Sequence, residues 1–405
     1  MNDDLQRLVD SLATRLGRSL VLEDRKQRMV VYSQHSEPMD EVRRESILRR
    51  ETTPEVIGWF RKMGIHEATE PTRMPGNEDL HMLPRVCIPI RHRGLLLGFL
   101  WFIDPDDSMT DGEIQTAVTV GHDFALALYR ENLSRELARQ RENEALRNLL
   151  ITEAAARAHA ARELIDGGHF AQSEAVVAMV AMPIRASGVE PDESLRSAIE
   201  QGLTGVRRQL GPRESLHLVR FDHGLLIVLS KPHTGVASLN SAEELLRSMA
   251  STAGKENGVE RIVVGVGSTA PRLEGTKESY EQALLAAQVA SQLPSAGPVA
   301  NWDELGVYRA LVQLSKDEIG GAPLHPGLNR LLGGEANAPL VETLETYLDS
   351  AGNAQKTAEQ LFLHRTTLYY RLKRISELTG ADLHDGNDRL ALHLGLKLAR
   401  LTGRL

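Results

Sequence analysis

The chain holds one cysteine in 405 residues. A lone cysteine, Cys87, forms no internal disulfide and builds no thiolate metal site. It stands in the strand-like run Arg85-Val86-Cys87-Ile88, where a buried, inert thiol is expected. Long apolar runs are also missing, and none approaches the ~20 residues that span a bilayer. The opening, MNDDLQRLVD, is acidic and amphipathic. It lacks the positive stretch followed by an apolar stretch that marks a secretory signal. These absences point to a cytoplasmic protein with no membrane partner. Excess positive charge is lacking too, since the formal net charge is -8. That excludes a protein that coats nucleic acid with its whole surface. It leaves room for a local basic patch, because phosphates respond to charges within about a Debye length, ~8–10 Å.

The length supports two to four domains at roughly 100–200 residues each. The first block, residues 1–128, opens on a helix with Leu5, Leu8, Val9, Leu12 and Leu16 at helical spacing. Strand-like runs follow at Ser19–Leu22 and Met29–Tyr32, then a polar, helix-rich stretch. Val86–Ile90 and Leu95–Ile103 flank Arg91-His92-Arg93-Gly94, a hairpin signal in which Gly94 supplies positive φ. Thr110 and Glu113 form a capping box for a helix over Asp111–Tyr129. This helix, hairpin sheet and closing helix, and above all LLLGFLWFIDPDDSMTDGE at 95–113, resemble a GAF-type sensor domain.

From Phe124 to Asp166 there is no proline or glycine, and the stretch reads as one long helix. Its apolar stripe, Leu126, Tyr129, Leu133, Leu137, Leu146 and Leu150, is interrupted by Arg139 and Arg141. A dimerising signalling helix and a helix packed on its own domains both fit it.

The next block, 168–300, alternates strands and helices. Ala175–Pro183 reads as a buried strand, Asp192–Leu210 as a helix, and Leu216–Arg220 with Gly224–Ser230 as a hairpin. Ser241 is expected to cap a helix over Ser241–Glu256. Arg261–Gly267 is a strand and Lys277–Leu293 a helix. The order β-α-β-β-α-β-α fits a ferredoxin-like sandwich. The run RIVVGVGSTAPRLEGTKESYEQALLAAQVA resembles the degenerate cyclase-like (GGDEF-related) domains of PucR/CdaR-type regulators. Beyond it, a helix is expected at Trp302–Leu314. The Gly/Pro-rich GGAPLHPGLNRLLGGEANAP then leads to a helix at Leu340–Ser350.

Residues 352–380 read GNAQKTAEQLFLHRTTLYYRLKRISELTG. Gly352 ends one helix and Asn353 can cap the next. That helix is expected to run to about Phe362, with Ala358, Leu361 and Phe362 inward. After a turn at Leu363-His364, a second helix starts near Thr366. Leu368, Leu372 and Ile375 lie on one side of it. Arg365, Thr366, Thr367, Tyr370, Arg371, Lys373 and Arg374 occupy the other. Two such helices form a helix-turn-helix, and small Ala358 lets them approach closely. The second helix fits the major groove of double-stranded DNA. Thr366 and Thr367 suit bases or phosphates, and the free N–H groups there favour a phosphate. Arg365 or Arg371 suits guanine, at roughly 1–3 kcal/mol of discrimination, and Lys373 and Arg374 suit phosphates. Five basic against two acidic residues between Asn353 and Gly380 leave a local charge of +3. A helical hairpin with a solvated basic face is the plainer alternative. It does not account for cap, Ala358, tight turn and paired threonines together.

This segment, with TGADLHDGNDRLALHLGLKLARL at 379–401, resembles the C-terminal helix-turn-helix of the PucR/CdaR family, which is similar to that of Fis-type proteins. Phe362 stands where many such motifs have glycine. Positive φ costs energy there, so the turn is expected to take another geometry.

An active cyclase of the GGDEF type needs carboxylates for two divalent metals. The hairpin here reads Arg220-Phe221-Asp222-His223-Gly224, with one acid, and the strand AVVAMVAMP has none. Asp222 reads as a turn residue, and Gly265-Val266-Gly267 as the end of a strand. His66, His81 and His92 lack metal-ligand spacing. No catalytic set, cofactor or metal is therefore expected.

The expected architecture is multidomain α+β. It comprises a GAF-like sensor (1–128), a helical connector (129–167), a ferredoxin-like, cyclase-related sandwich (168–300), and an all-α domain (301–405) with the helix-turn-helix at 353–378. The expected function is sequence-specific DNA binding in transcription regulation. A small-molecule effector or partner would act on the sensor, and the protein would be a homodimer or higher homo-oligomer. An interaction protein that does not bind DNA and a divergent nucleotide-binding enzyme are the rivals.

Overall fold

The computed structural model describes residues 2–405 except 35–38, 171–173, 186–191, 212, 231–234, 254–257, 294–296 and 314–324. The chain divides into two compact units, one up to Arg141 and one from Glu142.

The first unit is built on a five-stranded antiparallel sheet. Its helices and strands are α1 (Asn2–Leu16), β1 (Leu20–Asp24), β2 (Met29–Tyr32), α2 (Glu41–Arg49), α3 (Pro54–Lys62), β3 (Thr72–Met74), β4 (Arg85–His92), β5 (Leu95–Ile103) and the start of α4 (Asp111–Leu149). The strand order is β2-β1-β5-β4-β3. The β4–β5 hairpin turns on Arg93 and Gly94, both at positive φ (49° and 81°), as the right-handed twist of such hairpins requires. Strand alternation sends Val86, Ile88, Leu100 and Phe102 to one face. There they meet Leu5, Val9 and Leu12 of α1 and Phe124 and Leu128 of α4. Cys87, Phe99 and Trp101 point to the other face, against Val56 and Phe60 of α3. Phe60 stacks on Trp101 at 4.4 Å.

That second face also buries charge. Arg85 pairs with Asp40 at 2.5 Å. Glu23 accepts from Thr52 Oγ1 at 2.8 Å and Trp101 Nε1 at 2.9 Å. Burial raises the Glu23 carboxyl to about 7, against the pull of these donors. Burial likewise raises the Cys87 thiol well above its usual range, so it is an inert core group. The Thr110–Glu113 box closes both ways, with Glu113 Oε2 accepting from Thr110 N (2.7 Å) and Thr110 Oγ1 accepting from Glu113 N (3.3 Å).

The helix expected over 124–166 is not continuous. α4 ends at Leu149, and α5 (Ala154–Asp166) begins after Glu153. The break follows from packing rather than propensity. Ala145, Leu146 and Leu149 on one segment and Ala160, Ala161 and Leu164 on the other are all buried in the same core of the second unit.

That unit continues with β6 (Val176–Arg185), α6 (Glu193–Leu210), β7 (Ser215–Val219), β8 (Gly224–Leu229), α7 (Gly235–Thr252), β9 (Val259–Val266), α8 (Thr276–Gln292) and β10 (Val299–Asn301). Its sheet runs β10-β9-β6-β8-β7. The pairs β9–β6, β6–β8 and β8–β7 are antiparallel, and β10 is parallel to β9. The βαββαβ core is thus a ferredoxin-like sandwich with one added edge strand. α6 and α7 cover one face and α5 and α8 the other. α7 starts at Gly235, so Ser241 lies inside it rather than at its cap, and the expected end at Glu256 lies outside the described residues.

The helices described in the remaining chain are α9 (Tyr308–Leu311), α10 (Leu328–Leu332), α11 (Ala338–Asp349), α12 (Ala354–Gln360), α13 (Arg365–Thr379) and α14 (Gly386–Leu401). The helix expected at Trp302–Leu314 is instead a 3-10 turn at Trp302–Glu304 followed by α9, and Leu314 lies outside the described residues, as does the start of the Gly/Pro-rich stretch. Among the described residues, no helix is long and apolar enough to cross a membrane.

Candidate nucleic-acid interface

The helix pair α12–α13 is built by caps and one tight turn. Asn353 caps α12, its side chain accepting from Lys356 N at 3.0 Å. α12 stops at Gln360, and Leu363 N donates to Ala358 O at 2.9 Å, closing the turn. Two expectations about Phe362 fail here. Its ring is 96% exposed, not inward, and its φ is +53°. The turn therefore takes the left-handed geometry that glycine serves elsewhere, at a cost of roughly 1–2 kcal/mol for a residue with a Cβ. His364 then caps α13, with Nδ1 2.9 Å from Thr366 Oγ1 and 3.4 Å from Thr366 N.

Leu368, Leu372 and Ile375 are buried against Ala358, with Leu344 and Leu348 of α11, Leu328 and Leu331 of α10, and Leu392 and Leu396 of α14. The C-terminal end of α13 is pinned separately. Arg330 on α10 donates through Nε to Leu378 O (2.9 Å) and through Nη2 to Thr379 O (3.0 Å), satisfying carbonyls that the helix end leaves unpaired. Gly327 allows this approach, since a Cβ there would sit 1.7 Å from Thr379 O. Gly380 closes the helix at φ +73°.

Arg365, Thr366, Thr367 and Tyr370, the first turn and a half of α13, are exposed together, and Lys373 and Arg374 continue that surface. Arg374 is half-exposed and pairs with Glu377 at 3.0 Å. Arg371 differs from the rest. It is half-buried and donates to Thr343 Oγ1 at 3.0 Å, which ties α13 to α11. The sequence did not place Tyr369 (61% exposed), Phe362 or His364 on this exposed face. The Tyr369-Tyr370 pair and the position before the helix were the signals available for them.

The cyclase-like features take structural roles. Asp222 Oδ1 lies 2.6 Å from His223 Nδ1, and His223 Nε2 lies 2.9 Å from Tyr280 OH. Burial lowers the His223 pKa and raises that of Tyr280. Residues 176–181 of β6 are apolar and buried. Gly265 and Gly267 let α8 pack on the sheet, because a Cβ would fall 2.0 Å from Ala283 O and 1.9 Å from Ser279 O. Among the described residues, no group of His, Cys, Asp and Glu is placed to hold a metal.

A capped, tightly packed helix pair with an exposed Thr/Tyr/Arg turn defines the class: a helix-turn-helix DNA-binding protein. Residues 340–398 match the PucR C-terminal helix-turn-helix domain, and residues 152–289 match the GGDEF-like domain. The chain is 22% identical over 406 residues to the proline-responsive transcriptional activator PutR of Bacillus subtilis, covering 98% of this chain and 97% of that one. It is 23% identical over 406 residues to the DNA-binding transcriptional activator AdeR of the same organism, covering 98% and 94%. Over 71 residues it is 45% identical to the carbohydrate diacid regulator of Escherichia coli, 18% of each chain. The protein is a DNA-binding transcription regulator whose C-terminal helix-turn-helix matches the PucR type.

Proposed function

We propose that the first turn of α13 reads DNA sequence and that a signal at the N-terminal unit controls it. The observation that carries this reading is the shared exposure of Arg365, Thr366, Thr367 and Tyr370 on a helix anchored everywhere else. Arg365 is the side chain for a guanine edge, and the threonine hydroxyls serve bases or phosphates. Lys373 and Arg374 serve phosphates, and Arg371 reaches DNA only by leaving Thr343. The protein acts as a cytoplasmic homodimer or higher homo-oligomer on paired half-sites, since one helix-turn-helix binds weakly and half-sites lie about 34 Å apart. The first unit, to about residue 128, is a GAF-like sensor, with residues 129–167 leading to a middle domain (168–300) and a helical domain (301–405) whose reader spans 353–378. Its two-faced sheet supports the sensor reading, as does PutR being described as proline-responsive. The middle domain is not a catalyst, because β6 and the β7–β8 hairpin lack the acids that two metals need.

The test is selection of genomic DNA fragments on the purified protein at fixed, near-physiological salt, because phosphate-driven affinity falls steeply as salt rises. Wild type enriches a small set of paired half-sites, and the Arg365→Ala/Thr367→Ala variant does not. Equal enrichment by both rejects this face as the reader. Turnover of GTP with Mg²⁺ rejects the non-catalytic middle domain.

A further inference from the structure

The first unit contains a pocket of about 470 Å³ walled by the β1–β2 hairpin, the end of α2 and one stretch of α4. That volume falls within the roughly 300–1,000 Å³ of small-molecule sites. Five cations line it: Arg25, Lys26 and Arg28 from the hairpin, Arg50 from the end of α2, and Arg135 from α4. Only two acids line it, and both are engaged. Asp24 Oδ1 accepts from Lys26 N (2.8 Å) and Arg28 N (3.0 Å), shaping the turn. Buried Glu131 pairs with Arg135. The side chains of Arg25, Lys26, Arg28 and Arg50 have no partner among the described residues.

A backbone network joins the two loops that carry Arg28 and Arg50. Arg50 sits at φ +57°, its carbonyl accepting from Met29 N at 3.1 Å. Arg28 bridges to Glu51, and Thr52 N donates to Gln27 O at 3.2 Å. Within the same turn Gln27 is 1% exposed, at φ +58°, and neither amide atom has a hydrogen-bond partner. Gln27, between the pocket-lining Lys26 and Arg28, thus combines left-handed backbone with an unsatisfied buried amide, a costly local arrangement of the kind found at ligand sites. Leu97 and Leu128 supply an apolar floor.

Unpaired cations crowded around one concavity repel each other, and a single compact anion relieves that repulsion. We propose that this pocket binds a small anion carrying at least two negative charges, a di- or tricarboxylate or a phosphorylated metabolite. Its role as the effector site rests on the reading of this unit as a sensor. The link to the rest of the chain is α4 itself. It lines the pocket from Leu128 to Arg135 and runs unbroken to Leu149, where Ala145, Leu146 and Leu149 are core residues of the second unit.

The test uses the full-length protein and calorimetric titration with citrate and with pyrophosphate at constant ionic strength, with acetate as the singly charged control. One saturable site is expected for at least one multivalent anion and none for acetate. Arg28→Gln/Arg50→Gln lowers that affinity by about tenfold or more. Arg61→Gln/Lys62→Gln makes the same charge change on exposed residues of α3 outside the pocket and leaves affinity unchanged. An Arg28→Lys/Arg50→Lys variant restores part of the binding, which loss of fold would not allow. Absence of saturable binding by both anions overturns the site, as does equal weakening by both glutamine variants. Weakened DNA binding by the anion-free Arg28→Gln/Arg50→Gln protein also overturns it, by making this face a DNA surface. Saturable binding that leaves DNA affinity unchanged keeps the site and rejects the sensor reading alone.

Discussion

Replacing Phe362 separates backbone strain from DNA contact. The residue sits at φ +53° with 96% of its surface exposed, so its ring contributes almost nothing to the core. Phe362→Gly removes a left-handed penalty of roughly 1–2 kcal/mol. Against this stands the greater freedom of glycine in the unfolded chain, worth roughly 0.5–1 kcal/mol. The net is a stabilisation of about 0.5–1 kcal/mol. Phe362→Ala keeps the Cβ and the strain, so it stays near wild type. A multidomain chain has no single unfolding free energy. Hydrogen exchange on the amides of α12 and α13 is therefore the assay, with the glycine variant more protected than the alanine variant. DNA affinity moves differently. An exposed ring beside the first turn of α13 is placed for apolar contact with a thymine methyl or sugar. Both variants then lose about 1 kcal/mol, or about fivefold in Kd, by anisotropy on a selected site. A glycine variant that exchanges faster than wild type refutes the strain argument. Unchanged DNA affinity in both variants refutes the contact.

Three further outcomes follow from the packing. Gly327→Ala places a Cβ 1.7 Å from Thr379 O and forces α10 away from α13; a loss of about 3 kcal/mol or more is expected in exchange on α13, with DNA binding lost too. Arg330→Ala leaves the Leu378 and Thr379 carbonyls without this donor and costs about 1–2 kcal/mol at the end of α13, readable by the same exchange experiment. Glu23 carries a pKa raised to about 7, so the folded unit stays protonated where the unfolded chain, near 4.5, has ionised. The folded state then binds more protons, and stability falls as pH rises from about 4.5 to 7, by about 3 kcal/mol in all. Glu23→Gln flattens that slope in melting curves of the first unit, and an unaltered slope counts against this assignment.

Much of the fold was legible because its signals are local. The hairpin at Arg93-Gly94, the Thr110–Glu113 box and the Asn353 cap are each decided within a few residues, and all three form as read. The ferredoxin-like order was readable from alternation alone. What escaped was decided by distant partners. Nothing in the stretch 124–166 breaks a helix by propensity, yet two of its segments enter one core and must turn between them. Arg371 reads as a groove residue by helical spacing, but Thr343, 28 residues earlier, holds it. Phe362 misled in the opposite sense: steric cost argued against positive φ, and the tertiary demand for a tight turn prevailed.

These departures share a cause that bears on recognition. α13 is fixed by Leu368, Leu372 and Ile375 on its inner face, by Arg371 to α11 on its flank, and by Arg330 and Gly380 at its end. Its N-terminal turn is held by the His364 cap, the Phe362 turn and buried Leu368. Restraint along the helix is thus graded, strong where the helix meets its own domain and weak where Arg365, Thr366 and Thr367 are exposed. A rigid body with an exposed leading turn can offer Arg365 and Thr367 to base edges without first breaking contacts of its own, whereas the Thr366 hydroxyl lies 2.9 Å from His364 Nδ1. Arg371 is engaged too, since any base contact it makes first costs the Thr343 hydrogen bond. Thr343→Val therefore frees Arg371. If Arg371 reads a base in the bound state, that substitution tightens specific binding; if Arg371 is only a strut, it weakens binding by loosening α13.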